Sequence, residues 1–298
     1  MTAGSAADVA PDALARRVSV VVLTHNRREQ LLQTLACLLR LPARPGLIVV
    51  DNGSSDGTAA AVHARFGEAV QLIACPRNLG ACGRNAGAGA ARTPYVAFCD
   101  DDVTWEPGAL ERACELLDAH AGLALVCAHV LVGAARTPDP TSLRMAAGPP
   151  LAGAAGGLHA IAGYLAGASV VRREAFLRVG GYCPRLFIGG EEELVTIDLL
   201  AAGWALAYAP GVRAHHRPSP LRDAPRRRWL LERNAILVAV LRYPARQALA
   251  RAWRVLRHSR RQGNLGRVVP ATLAALPWAL AARAVAPGVL QGLQPDGR

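Results

Sequence analysis

The chain contains no lysine: all 34 of its basic residues are arginine. That absence excludes every mechanism that runs through a lysine amine. With the heavy use of Ala and Gly it reads as compositional bias rather than as a functional device. Also missing is any Cys-x-x-Cys pair. The seven cysteines (Cys37, Cys75, Cys82, Cys99, Cys114, Cys127 and Cys183) are odd in number and mostly lie in apolar runs. They are expected to be buried thiols of a reducing compartment, with neither a disulfide framework nor a zinc site. No continuous apolar stretch precedes Val18, and Asp8 and Asp12 stand in that segment, so the form of a secretory signal is lacking and a cytosolic start is expected. The longest uncharged stretch, Met145 to Val171, has the length of a bilayer span. It is glycine-rich, holds a Pro-Pro pair and His159, and has few large apolar side chains, so interior and loop are expected there.

What is present begins with enough apolar material, 52% of 298 residues, to bury a sizeable core in one large domain or a domain with an appendage. Charge is unevenly spread. Between Arg222 and Arg267 there are 13 arginines against Asp223 and Glu232, a balance of +11 that accounts for nearly all of the net +12. Within this segment Leu249, Trp253 and Leu256 recur at i, i+4, i+7, with arginines on the other faces and Pro244 and Gly263 as punctuation. Two readings stand side by side: a solvated helix packed on the main domain by its apolar stripe, and a basic amphipathic helix facing an anionic membrane surface. Nucleic acid is not expected as a partner. Val268 to Ala282 is apolar but short, and Pro270 and Pro277 are expected to break it.

The first hundred residues alternate in character. Val18 to Leu23 is a β-branched run, followed by a helical pattern from Glu29 to Arg40. Leu47 to Val50 precedes a helical Thr58 to Phe66, Val70 to Ala74 precedes a Gly/Ala-rich helix from Arg84, and Tyr95 to Cys99 is the fourth run. Strands alternating with helices predict an α/β fold with a mostly parallel sheet, whose ligands collect at the carboxyl ends of the strands. Polar motifs stand at those ends: Thr24 to Arg27, Asp51 to Thr58, Asn78 to Asn85, and Asp100-Asp101-Asp102. An isolated aspartate triplet is most simply a solvated loop or helix cap, but adjacent carboxylates also suit a divalent cation, Mg2+ or Mn2+, that offsets their repulsion. Convergence with the other motifs favours the cation. Asp51 can accept the imide N–H of uracil or thymine, though Asp-Asn-Gly also makes an Asx-turn unaided. Arg84, at a helix start among small residues, can fork onto diphosphate oxygens.

Taken together, Val-Val-Val-Leu-Thr-His-Asn-Arg, Val-Val-Asp-Asn-Gly-Ser-Ser-Asp-Gly-Thr, Arg-Asn-Leu-Gly-Ala-Cys-Gly-Arg-Asn and Phe-Cys-Asp-Asp-Asp, in this order, resemble the nucleotide-sugar-binding half of family-2 inverting glycosyltransferases of GT-A fold, of the rhamnosyltransferase kind. The resemblance continues through Gly167-Ala-Ser-Val-Val-Arg-Arg-Glu, Gly-Gly-Glu-Glu-Glu-Leu and Tyr208-Ala-Pro to His215-His216. It implies a glycosyltransferase domain at 17–240 between an N-terminal tail, 1–16, and a basic helical C-terminal region, 241–298. It implies Thr24, Asn26, Asp51, Asn78, Arg84, Asp100 and Asp101 around the nucleotide, with Asp51 at the base and Asp100 near the ribose. Asp102 and His216 would ligate the cation, with His215 an alternative one residue away.

Inversion needs one base for the acceptor hydroxyl. The resemblance points to the head of a helix, where Glu191-Glu192 stands in place of the family's Glu-Asp. Glu192 is the expected base and Glu191 the alternative. The implied activity is transfer from a UDP- or dTDP-sugar to a hydroxyl of a glycan or lipid-linked acceptor, at a cytoplasmic site or peripherally on the inner face of the membrane. Two rivals are weighed. A sugar-nucleotide pyrophosphorylase calls for a lysine that this chain lacks. A non-catalytic protein binding nucleotide or an anionic surface through its arginines is disfavoured by the presence of Asp102, His216 and Glu192 together.

Overall fold

The computed structural model describes residues 14–154, 157–218, 224–286 and 288, so the expected N-terminal tail lies almost wholly outside the described residues. In chain order the elements are β1 (Val18–Thr24), α1 (Arg28–Leu38), β2 (Gly46–Asp51), α2 (Thr58–Phe66), β3 (Gln71–Ala74), α3 (Gly83–Ala90), β4 (Tyr95–Asp100), β5 (Val103–Trp105) and α4 (Ala109–Ala119). There follow β6 (Leu123–Val132), β7 (Thr137–Pro138), α5 (Pro140–Ala146), β8 (His159–Ala160), β9 (Ala168–Arg172), α6 (Arg173–Arg178), α7 (Glu191–Ala201) and β10 (Ala205–His216). Three helices close the chain: α8 (Ala224–Arg242), α9 (Ala245–Arg261) and α10 (Leu265–Ala281).

Among the described residues one sheet runs in the order β3-β2-β1-β4-β9-β6-β10-β5, with β7 and β8 paired at its margin. The first four strands are parallel, as the alternation of elements predicts. Beyond β4 the sheet is mixed: β9 is antiparallel to both β4 and β6, β10 is parallel to β6, and β5 is antiparallel to β10. β1 is buried along nearly its whole length, as befits a strand with a layer on each face, and its branched side chains fill both. One face carries Leu31, Leu35 and Leu38 of α1 with Leu110 and Leu117 of α4. The other carries α3 with Phe98, Phe176 and Tyr182. A Cβ on Gly87 would lie 2.3 Å from Val21 Cγ1, so the small residues of α3 are what let this helix sit hard against β1.

The order β2-β1-β4 makes β1 the strand at which the connections reverse direction, and a crevice opens there beyond the carboxyl ends. Thr24 is in register with Asp51, and Leu23 with Asp100, so three of the polar motifs meet at one edge.

The C-terminal helices build a third cluster on α7, in which Leu194 and Ile197 pack with Leu237, Val238, Leu241 and Ala279. Polar clamps reinforce it: Arg251 reaches Glu193 with both terminal nitrogens, at 2.5 and 2.7 Å, the Tyr243 hydroxyl donates to the same carboxylate at 2.9 Å, and Arg242 pairs with Asp198. Of the two readings of this helix, these contacts do not fit the one in which α9 packs by its apolar stripe. Leu249 and Trp253 are 72% and 65% exposed, whereas Ala248, Arg251 and Ser259 turn inward. Burial of an arginine is tolerated because Glu193 stands opposite it. Pro270 and Pro277 do not break α10 either. Both prolines and the residues four before them are exposed, so the carbonyls that lose a donor can turn to solvent. No described helix is long and apolar enough to cross a membrane.

Candidate active site

The crevice is a cavity of about 660 Å3 whose walls include Thr24, Arg27, Asn78, Arg84, Asp100 to Asp102, Glu191, Glu192 and His216. Nine of the eleven residues expected at the site therefore share one cavity. The other two, exposed Asn26 and buried Asp51, are not among its lining residues.

The acidic corner is made by a turn. β4 ends at Asp100, Asp101 and Asp102 form the bend, and β5 leaves antiparallel to the end of β10. This pairing sets Val103 opposite His216, and Arg217 N–H donates to the Asp102 carbonyl at 2.8 Å. His216 Nε2 thereby comes within 3.4 Å of Asp102 Oδ1, in a carboxylate that is 2% exposed. Successive side chains of a strand point to opposite faces, and His215 accordingly meets the Gly133 carbonyl at 2.7 Å on the far side. A carboxylate and an imidazole facing one cavity, with phosphate oxygens to complete the shell, are a donor set that fits Mg2+ or Mn2+. Among the described residues no cluster of three or more such side chains forms, so the substrate's own oxygens would have to supply much of the coordination.

Arg27 was not singled out by the sequence reading, yet it is central here. Its Nη1 lies 2.9 Å from Asp101 Oδ1 and 3.4 Å from Asp102 Oδ2. Burial works against its charge, but Asp101, Asp102 and Asp100 hold its pKa above the ordinary guanidinium value. A cation is thus already needed to balance this corner. Asp101 is the structural member of the triplet: it accepts from the Thr24 hydroxyl at 2.8 Å, and its carbonyl accepts from Thr34 at 2.7 Å. Burial pushes its pKa up to about 6, against the opposing pull of Arg27 and Thr24. The signal in the sequence is a basic residue just after the first strand and an acidic turn after a later one; only the sheet order pairs them.

Asp51, 4% exposed, accepts the Ser54 N–H, three residues on, at 3.0 Å through Oδ1 and so braces its own turn. Asn26 joins two loops: its carbonyl oxygen Oδ1 accepts the Ser55 N–H at 2.7 Å and its own N–H donates to Ser54 Oγ at 2.9 Å. Asn78 is tied to Asn52, whose Nδ2 donates to Asn78 Oδ1 at 3.1 Å and to the Gly80 carbonyl at 2.9 Å. Arg84 is buried and its guanidinium is ion-paired with Asp100. Burial opposes its charge, while Asp100 above all, then Tyr182, Glu192 and Glu191, raise its pKa. Its Nε has no hydrogen-bond partner among the described residues.

Glu191 and Glu192 open α7 after Gly189-Gly190, both in positive φ, and the helix N-terminus favours their charge. Glu191 is 4% exposed and Glu192 is half-buried. The loop before them is braced by the glycine-rich segment: Ala81 N–H donates to the Phe187 carbonyl at 2.6 Å, and Phe187 itself has φ of 64°. Gly80, at φ 66°, leaves no room there, since a Cβ would stand 2.0 Å from that carbonyl oxygen. Gly80→Ala is expected to destabilise the protein by about 2 kcal/mol or more through left-handed strain and overpacking. Urea unfolding would measure it; an unchanged midpoint would show that the 187–190 loop gives way freely.

Residues 19–180 match the family described as Glycosyl transferase family 2. Over 242 aligned residues the chain is 31% identical to the N-acetylglucosaminyl-diphospho-decaprenol L-rhamnosyltransferase of Mycobacterium tuberculosis, a match covering 66% of this chain and 75% of that protein. It is 38% identical over 116 residues to the succinoglycan biosynthesis protein ExoO of Rhizobium meliloti, covering 38% of this chain and only 32% of that relative's length. Among solved structures it is similar to the mannosyltransferase PcManGT from Pyrobaculum calidifontis in complex with GDP-Man and Mn2+, with a TM-score of 0.56 at 20% identity over 96% of this chain and 81% of that one. At that identity the likeness is one of fold.

Proposed function

The chain belongs to glycosyltransferase family 2, and from that premise we propose that it is an inverting, cation-assisted enzyme that moves a sugar from UDP or dTDP to a hydroxyl of a glycan or lipid-linked acceptor. The observation that carries this reading is the placing of the Asp102–His216 pair, 3.4 Å apart, in the same cavity as the glutamates at the head of α7.

Asp102 and His216 would hold a Mg2+ or Mn2+ ion, which when bound supplies positive charge against the diphosphate leaving group. Asp51 would accept the imide N–H of uracil or thymine, Asp100 would lie near the ribose, and Thr24, Asn26, Asn78 and Asp101 would shape the nucleotide pocket. Arg84, held between Asp100 and the glutamates, would orient the donor. Glu192 would take the proton of the acceptor hydroxyl as its oxygen attacks the anomeric carbon. The bond from that carbon to the diphosphate oxygen then breaks with inversion, and the nucleoside diphosphate carries away the electron pair. Glu191 is the alternative base.

The rhamnosyltransferase relative, whose name specifies an acceptor on a decaprenyl diphosphate, supports a lipid-linked acceptor and keeps dTDP-rhamnose among the donors. We place the catalytic domain at 17–240 and treat 241–298 as a helical region of separate duty, peripheral to the membrane on the cytoplasmic side.

Calorimetric titration with UDP and with dTDP, each with Mn2+ and with EDTA, tests the proposal. Binding of one or both is expected with Mn2+ and is expected to weaken about ten-fold or more in EDTA. No binding in any condition would remove the donor site from this cavity.

A further inference from the structure

We propose that the outward face of α9 is a docking surface for an anionic lipid bilayer. At about 100° per residue Arg246, Leu249, Trp253, Arg257 and Arg260 fall within roughly a quarter turn of one another. All five are exposed, Leu249 at 72% and Trp253 at 65%. The helix thus divides its arginines by role. Arg251, on the inner face, is consumed by Glu193 and Tyr243, whereas Arg246, Arg257 and Arg260 form no ion pair among the described residues. Along the sequence no aspartate or glutamate occurs between Glu232 and Asp296, so nothing acidic in that segment offsets them.

The mixture identifies the occupant. A tryptophan and a leucine one turn apart, set among arginines, match the boundary between acyl chains and headgroups. The indole and the isobutyl group enter the apolar side there, and guanidinium groups reach back to phosphates. A second copy of this face would bring like charges together. A nucleic acid would use the arginines but gain little from Leu249. Glu193 connects the surface to the site, since it is clamped by the inner face of α9 and stands in the helix headed by Glu191 and Glu192. A docked α9 therefore holds the acceptor side of the cavity at a fixed relation to the bilayer.

The test is co-sedimentation of the full chain with vesicles of phosphatidylcholine alone and of phosphatidylcholine mixed with phosphatidylglycerol. Binding is expected only to the mixed vesicles, weakening as salt is raised. Leu249→Ala with Trp253→Ala, and separately Arg257→Gln with Arg260→Gln, are each expected to lower it roughly ten-fold. The second pair should also flatten the salt dependence. Thermal unfolding like that of the parent chain confirms that these variants fold. Equal binding to neutral vesicles, or undiminished binding by both variant pairs, would overturn the proposal. So would a dimer that Trp253→Ala dissolves, or retention of an oligonucleotide, with no vesicle binding. The vesicles carry no nucleotide, so failure here and failure of the donor titration are separate results.

Discussion

Asp102→Ala is expected to abolish the cation-dependent part of nucleotide binding and to lower turnover by about a thousand-fold or more. The reason is the geometry of a single corner. The Asp102 carboxylate is 2% exposed and has His216 Nε2 at 3.4 Å. Arg27 leans on it from the other side. Alanine leaves the imidazole alone, and one ring nitrogen does not hold Mg2+ or Mn2+, which take oxygen ligands. Affinity for UDP or dTDP should then be the same with Mn2+ as with EDTA. The loss costs Arg27 its longer contact, but Arg27 keeps Asp101 at 2.9 Å and repulsion between neighbouring carboxylates is relieved, so the fold should survive. A variant that still binds more tightly with Mn2+ would move the cation elsewhere. His215→Ala is the matched control, because that ring faces the Gly133 carbonyl outside the cavity.

Glu192→Gln is expected to lower turnover by roughly a hundred- to ten-thousand-fold, the usual contribution of a positioned base, while nucleotide affinity stays as it was. Glutamine keeps the length of the side chain and loses only the capacity to take a proton. The comparison with Glu191→Gln decides between neighbours. Glu191 is the more buried of the two, and Glu192 is the more open to an acceptor. A free glutamate titrates near ~4.3, and turnover of the parent enzyme should fall as pH drops through the base's pKa. Glu192→Gln should lose that limb together with the rate. If Glu191→Gln alone removes both, Glu191 is the base; if Glu192→Gln loses nucleotide binding, its role is in the donor site.

Four strands, their order in the chain and the polar motifs that end them were legible in the residues. β-branched runs of strand length declare themselves locally, and the rule that parallel strands share a ligand-binding edge needs no coordinates. Asp100 to Asp102 were therefore readable as one group with Thr24, Asn78 and Arg84. Less local features were not. Arg27 looked like one basic residue in a loop until β4 came to lie beside β1. Leu249, Trp253 and Leu256 were visible as a stripe, but a stripe does not say which way it faces. An arginine two places from Leu249 turned out to have the better partner inside.

His215 and His216 mark the division most plainly. Alternation along a strand dictates that the two rings lie on opposite faces, and that much belongs to the sequence by itself, as do the element order of the first hundred residues and the family. Which ring meets Asp102 depends on β5 pairing antiparallel with β10 in the register that sets Val103 against His216. That register joins segments about a hundred residues apart, and it follows from the packing of the whole sheet, because a shift of one residue would exchange the two faces.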